Sequence, residues 1–297
     1  MVPTRPQSGF SLVEPKQSEV PTKAGIHLQR GFSLVELSIV LVILGLLVGG
    51  VLAGQSLIRA AELRAISTEY SRYVAATQSF RDKYFALPGD MTNAVAFWGT
   101  DPNGCPNNTV KTPRSQTCNG DGNGQIGNQR QSCCMGALNN EHFRFWQHLA
   151  NAGLVEGSFS GVSDHTNSMG SLIHNQPRGK INNTGWAATF IGTVPSSGYV
   201  PGYEYIPGDY GNALLYGSVG TLLNSLVDYA RISPEEMWNI DTKMDDGKPF
   251  LGRIRTVVGS GCEEYTPSLA QIGIVNYNLN TTFASGTACL FVFANAF

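Results

Sequence analysis

Residues 37–58 read LSIVLVILGLLVGGVLAGQSLI and decide the fold, because this stretch carries no charged residue and no proline. A helix of about 20 apolar residues crosses the hydrocarbon core of a bilayer. Gln55 and Ser56 weaken the last turn, so the firmly apolar part is residues 37–53. The sequence therefore predicts one membrane-spanning helix near the N-terminus.

Two other interpretations of this stretch are a buried core helix and the apolar region of a secretory signal peptide. The signal peptide fits less well, because a long and mostly polar segment comes first. Glu36 also stands at the start of the apolar run, where a carboxylate disfavours membrane insertion. An acid in that position is a candidate functional residue.

A helical pattern continues after the apolar run. Residues that face one side recur at intervals of four and three: Ile66, Tyr70, Tyr73, Thr77, Phe80, Tyr84 and Leu87. This spacing is typical of a helix with one buried face. Charged residues such as Arg64, Glu69 and Arg72 fall mainly elsewhere on the helical wheel. Pro88 and Gly89 predict the end of the helix.

Composition limits the functional classes. The 297 residues carry a net charge of −2, only 14% are charged, and 34 are glycine. A highly charged disordered chain is excluded, and a nucleic-acid binder that works through a global positive field is disfavoured. Few charges, many glycines and six cysteines are typical of an exported, loop-rich protein.

The segment 30–40, RGFSLVELSIV, resembles the cleavage and methylation signature of type IV pilins and type II secretion pseudopilins. The resemblance implies that a prepilin peptidase cuts between Gly31 and Phe32 and that Phe32 becomes N-methylated. It makes Glu36 the fifth residue of the mature chain, with a role in filament assembly. The implied partners are the peptidase, other pilin or pseudopilin subunits and the inner membrane.

The resemblance also implies a division of the chain. Residues 1–31 are a leader removed by the peptidase, 32–58 a transmembrane and assembly helix, 59–89 its amphipathic continuation, and 90–297 a periplasmic or extracellular globular head. Lys23 and Arg30 favour a cytoplasmic N-terminus in the inner membrane. A second GFSLVE at residues 9–14 is followed by Pro15 and polar residues, which leaves the true start of translation open.

The head has the pattern of an α+β domain, with helices and antiparallel strands and many loops. Strands are predicted at 187–191, 213–216, 252–258 and 288–293 from their β-branched and aromatic residues. Helices are predicted from Glu141 to Gly153 and over 221–231, and residues 238–249 indicate a helix end followed by a turn. In that turn Asp245 and Asp246 favour a capped turn over a pair of catalytic acids.

No catalytic motif is evident. The five histidines form no HExxH pattern, and no phosphate-binding loop or nucleophile elbow occurs. We therefore predict a structural filament subunit and not an enzyme. A minor tip subunit whose large head binds a surface or a secreted substrate is the alternative, and a membrane-tethered hydrolase is less favoured. The choice between secretion pseudopilus and pilus stays open.

All six cysteines lie in the predicted exported part, where disulfides form: Cys105, Cys118, Cys133, Cys134, Cys262 and Cys289. The resemblance favours a bond between Cys262 and Cys289, like the C-terminal disulfide loop of many pilins. The other four would pair among themselves in an order that the sequence leaves open. Since a bond between neighbours is strained, Cys133 and Cys134 are expected to pair with Cys105 and Cys118.

No cofactor is certain, but residues 119–125 make calcium a candidate. Asn119, Asp121 and Asn123 alternate as in the first half of an EF-hand loop, and the carbonyl of Gln125 would follow. The twelfth position is not the usual glutamate, so Glu141 is expected to supply that carboxylate. The competing interpretation is a turn whose Asn and Asp side chains cap the backbone.

Overall fold

The computed structural model describes residues 33–105, 110, 112–127, 141–162, 175–194, 208–219, 227–257, 261–264, 273–280 and 289–297. The chain divides into two units, Met1–Ala53 and Gly54–Phe297. Helix α1, Leu34–Tyr84, contributes residues to both.

In the first unit every described residue is exposed, including Leu34 at 85% and Leu46 at 73%. Among the described residues, α1 is the one helix long and apolar enough to cross a membrane, and it lies near the N-terminus. A helix that is apolar on all sides buries that surface in lipid or against other helices.

In the second unit α1 buries one face, as its periodicity predicts. The buried residues of the helix are Ile66, Glu69, Tyr73, Ala76, Thr77 and Phe80. Glu69 departs from the prediction that it lies on the exposed side. Its carboxylate accepts a hydrogen bond of 2.8 Å from the indole Nε1–H of Trp186, and this partner permits its burial. Burial raises the pKa of Glu69 above its ordinary value.

Helix α1 ends at Tyr84, before the predicted limit of the amphipathic segment at residue 89. Phe85 leaves the helix with a φ of 53°, although its N–H still bonds to Arg81 O at 2.8 Å. Pro88 then disfavours a helical conformation for Leu87.

The head contains a five-stranded antiparallel sheet, which confirms the α+β class. Its strands are β1 Gly185–Phe190, β4 Asn212–Val219, β7 Phe291–Phe293 and β6 Ile254–Arg255, in that spatial order, with β5 Val227–Tyr229 paired to the end of β4. The register places Trp186 opposite Tyr216, and Tyr216 opposite Phe291. These rings and Tyr73 of α1 belong to the main core, so the sheet packs against the second half of α1.

Short elements complete the described part of the head: α2 Val95–Trp98, and the paired strands β2 Thr193–Val194 and β3 Gly208–Asp209. The predicted helix over 221–231 is wrong at its C-terminal end, because residues 227–229 form β5. Val227 is buried and pairs with Val219, and a β-branched residue suits such a position. Residues 221–226 lie outside the described residues.

Helix α3, Glu141–Asn151, confirms the predicted helix and is buried along most of its length. Helix α4, Pro234–Met244, begins at a capping box in which Ser233 and Glu236 exchange hydrogen bonds with each other's backbone. Glu236 also accepts two hydrogen bonds from Arg59 of α1, at 2.6 and 2.8 Å. This bidentate pair connects the start of α4 to α1.

Candidate functional site

The first turn of α1 holds the predicted assembly residue. Gly31 and Phe32 lie outside the described residues, but Glu36 is described and exposed. Its carboxylate accepts a hydrogen bond of 2.9 Å from the backbone N–H of Ser33, and Ser33 Oγ accepts from Val35 N at 3.3 Å. The carboxylate therefore turns back toward the start of the helix, where the helix dipole favours negative charge.

In the head the structure brings together three acids, Asp90, Asp121 and Glu141, which we call the first cluster. One carboxylate oxygen from each lies within 4.8 Å of the others. Asp121 and Glu141 are two of the predicted calcium ligands, and Asp90 is new. Asp90 lies 31 positions before Asp121, so no local spacing signals it.

The carboxylates of the first cluster all accept hydrogen bonds from the loop around them. Asp90 accepts from the backbone N–H groups of Gly122, Asn123 and Gly124 at 2.6, 3.1 and 2.9 Å. Glu141 accepts from Asp121 N at 3.1 Å and from Gly127 N at 2.8 Å. A Cβ on Gly120 would overlap with the backbone of Asp90, so glycine permits this close approach.

The predicted amide ligands are engaged within the protein. Asn119 Oδ1 accepts the N–H of Val95 at 3.0 Å, near the start of α2. Asn123 donates to Asp121 Oδ2 at 2.9 Å and accepts from Gln125 N at 2.7 Å. These contacts match the interpretation of the loop as an Asn- and Asp-capped turn. That the loop binds calcium stays a prediction.

Burial places the first cluster under electrostatic tension. It raises the pKa of Glu141 to about 7, although the amides of Gly127 and Asp121 oppose this rise. The pKa of Asp90 is also raised, first by burial and then by Asp121. Like-charged, buried carboxylates hold a proton or attract a cation.

A second cluster of acids lies at the end of α4: Asp241, Asp245 and Asp246, again with one oxygen each within 4.8 Å of the others. Asp246 accepts from Lys248 N at 2.8 Å, which confirms the capped turn predicted there. The sequence singled out Asp245 and Asp246 but missed Asp241. Its position one turn before Asp245 on the same helix is the signal that would have found it.

Two buried histidines of α3 connect segments of the head. His148 Nδ1 accepts the N–H of Gly89 at 2.9 Å, so its Nε2–H donates to Thr117 Oγ1 at 3.0 Å. Thr117 in turn donates to Gln147 at 2.7 Å. Burial lowers the pKa of His148 to about 3 and that of His142 to about 4, so both are neutral. This arrangement is structural, since each partner is a group of the fold.

The structure contains two disulfides among the described residues. Cys262 and Cys289 are bonded, which is the pair favoured by the sequence. Cys105 and Cys118 are bonded to each other, so the expected pairing of each with Cys133 or Cys134 is wrong. Backbone hydrogen bonds between Thr117 and both Gly99 and Asp101 close the intervening loop and bring the two sulfurs together. Cys133 and Cys134 lie outside the described residues.

Comparison with known proteins identifies one family. Residues 26–52 match the prokaryotic N-terminal methylation motif, the signature of prepilin-type subunits of type IV pili and pseudopili. The chain therefore carries this signature, and the motif supports the general class of pilin-type subunit. It implies processing by a prepilin peptidase and assembly with other pilin subunits. No curated protein and no solved structure matches the chain.

Proposed function

We propose that this chain is a filament subunit of a type II secretion pseudopilus or a type IV pilus, anchored in the inner membrane before assembly. One observation carries the proposal. The methylation motif at 26–52 runs directly into α1, and every described side chain in residues 33–53 is exposed. Such a helix needs lipid or neighbouring helices around it, and a filament core replaces the first by the second.

Glu36 is the residue that we assign to assembly. A carboxylate in a nonpolar environment is costly unless it is paired. After cleavage between Gly31 and Phe32, the α-amino group of Phe32 provides a positive charge next to Ser33. Because Glu36 already reaches Ser33 N at 2.9 Å, it is within reach of that amine in its own chain. The amine of a neighbouring subunit is the other partner that this geometry permits.

The proposal fixes the expected topology and enzyme class. The leader, residues 1–31, stays in the cytoplasm, residues 32–58 cross the inner membrane, and the head faces the periplasm before it enters a filament. The pilin-type motif favours a structural subunit over an enzyme.

Processing is tested by N-terminal sequencing of the membrane form. We expect the mature chain to begin at methylated Phe32, and a bulky residue in place of Gly31 to block the cut. A mature end near Gly54 would instead show an ordinary signal peptide, and the proposal would be wrong.

Assembly is tested with Glu36→Leu in cells that carry the secretion or pilus machinery. The variant is expected to insert into the membrane at normal levels and to be absent from sheared filaments. Ser38→Ala is the matched control, since Ser38 is an exposed neighbour whose hydroxyl bonds only to Val35 O at 2.8 Å among the contacts of the described residues. Normal assembly of Glu36→Leu would contradict the proposed role.

A minor tip subunit is the second candidate, and a groove on the head favours it. The groove has a volume of about 820 Å³, in the range of ligand-binding clefts, and the second half of α1 forms one wall. Its charged lining is mainly basic: Arg64, Arg72, Arg178 and Lys180, with Glu69 and Glu156. Quantitative mass spectrometry of sheared filaments separates the candidates, because a tip subunit is scarce and a major subunit is abundant.

A further inference from the structure

The second cluster lies where α4 ends. Asp241 is in the last full turn of the helix, Asp245 is its C-cap residue, and Asp246 follows in the turn. The negative end of the helix dipole is at this point, so backbone carbonyls add to the negative potential of the three carboxylates. Among the described residues, no lysine or arginine makes an ion pair with these acids.

Each acid uses one of its carboxylate oxygens to accept hydrogen bonds from the protein. Asp241 Oδ2 accepts from the hydroxyl of Tyr277 at 2.7 Å. Asp245 Oδ2 accepts from the backbone N–H groups of Arg253 and Ile254, the latter at 3.0 Å. Asp246 Oδ1 accepts from Lys248 N. These contacts orient all three carboxylates and leave one oxygen of each without such a donor.

The remaining oxygen of Asp241 is the decisive observation. Asp241 is 0% exposed, and its Oδ1 has no hydrogen-bond partner among the described residues, although the amide of Gly247 lies nearby. A buried carboxylate oxygen without a partner is costly. It is unusual in a native protein and requires an explanation such as a bound ion. The first cluster offers no such atom, since the carboxylates there are occupied by amide donors.

We propose that Asp241, Asp245 and Asp246 bind one divalent cation, and the all-oxygen ligand set points to Ca²⁺. Calcium takes carboxylate and carbonyl oxygens in flexible geometry, which suits a helix end followed by a turn. The ion neutralises three converging charges and supplies the missing partner of Asp241. Through Asp245 it also fixes the start of β6 to the end of α4.

Calorimetric titration of the detergent-solubilised full chain with CaCl₂, after removal of metal by a chelator, tests the site. We expect a saturable site with a dissociation constant of about 10⁻⁴ M, in the range of extracellular calcium modules and sensors. Asp246→Asn removes an exposed carboxylate that the fold does not bury, and it should weaken binding at least about tenfold. Glu235→Gln is the matched control, because it removes the same charge at the other end of α4 and should leave binding unchanged.

The same variants are melted with and without 5 mM CaCl₂. Calcium should raise the melting temperature of the wild type and of Glu235→Gln but not of Asp246→Asn. Asp121→Asn, in the first cluster, should retain both the heat and the shift. Calcium binding that survives Asp246→Asn unchanged, or that is lost in Asp121→Asn alone, would overturn the proposal, as would the absence of any heat.

Discussion

The two acidic clusters of the head contain three carboxylic acids each, but different groups occupy their oxygens. In the first cluster, Asp90 alone accepts three backbone N–H groups of the 122–124 segment. In the second cluster the buried Asp241 accepts one hydroxyl and keeps an oxygen without a partner. The first cluster therefore organises a loop through its amides, whereas the second leaves an opening for a cation.

This difference shows that a calcium-like sequence pattern and a calcium-like geometry need not coincide. The alternating Asn and Asp residues at 119–123 resemble an EF-hand loop, yet their side chains close hydrogen bonds within the loop. The segment around Asp241 has no such alternation, yet it brings three carboxylates together at a helix end. Short polar side chains compete for backbone donors, and this competition decides which oxygens stay available.

Removal of the disulfides gives the largest expected effect on this comparison, because each bond lies near one cluster. Cys118 precedes the loop of the first cluster, and Tyr277 of the second cluster lies between Cys262 and Cys289. The double variant Cys262→Ser/Cys289→Ser should lose about 3–4 kcal/mol by the chain-entropy model, and Cys105→Ser/Cys118→Ser about 3 kcal/mol. Urea denaturation under oxidising conditions measures both.

Hydrogen exchange adds the spatial part of the same prediction. Loss of the Cys262–Cys289 bond should speed exchange at Arg253 and Ile254, whose amides bond to Asp245, more than at Gly122 and Gly124. Loss of the other bond should do the reverse. Equal exchange at both clusters in both variants would show that the clusters are not locally supported.

Replacement of the central acceptor gives the next largest effect. Asp90→Ala leaves three amide donors without their acceptor, so we expect a loss of about 3 kcal/mol in the free energy of unfolding. Asp245→Ala frees two amides at a more exposed site and should cost about 1 kcal/mol. Asp82→Ala, an exposed acid on α1, is the control and should have little effect. A smaller loss for Asp90→Ala than for Asp245→Ala would reverse the roles assigned to the clusters.

Much of the fold could be predicted from the sequence, because its strongest patterns are local. The apolar run and the three-four spacing from Ile66 to Phe80 define α1, and the core strands β1, β4 and β7 fall within or next to predicted strands. The burial of Glu69 could not be predicted, since it depends on Trp186, more than a hundred residues away. The strand β5 was missed because its partner in β4 is decided by tertiary pairing.

The pH dependence of stability distinguishes the clusters through Glu141 and Asp241. Burial raises the pKa of each to about 7. A carboxyl group whose pKa is raised by folding stabilises the protein below its ordinary pKa, and this contribution is lost as the pH rises through 7. Without metal, Glu141→Gln and Asp241→Asn should each reduce the gain in stability between pH 8 and pH 5 by about 2 kcal/mol.

The neutral histidines act in the opposite direction and serve as the internal control. The pKa values of His142 and His148 are lowered to about 4 and 3, so their contribution falls as the pH drops below 6.5. They contribute equally to the wild type and to both variants, so differences between the curves isolate the acids. With 5 mM calcium the effect of Asp241 should vanish and that of Glu141 should remain. Loss of both effects would place ions in both clusters.

The candidate sites were harder to predict than the fold, for a physical reason. Asp121 and Glu141 were expected to meet, and they do, but Asp90 joins them through the turn after α1. Likewise Tyr277 reaches Asp241 from a segment 36 residues later. Ligand positions within one loop can be predicted from its spacing, whereas the donors that occupy those ligands come from distant parts of the chain.

The smallest expected effect is calcium binding by the first cluster itself. A cation there must displace or share the amide donors of Asp90 and Glu141, and its affinity should be no better than about 10⁻³ M. At 5 mM calcium such a site stabilises the head by about 1 kcal/mol. The signal is isolated in the Asp246→Asn background, where Asp121→Ala should remove any remaining shift in melting temperature. A shift in that background that exceeds the one from the second cluster would mean that amide donors organise this loop around an ion.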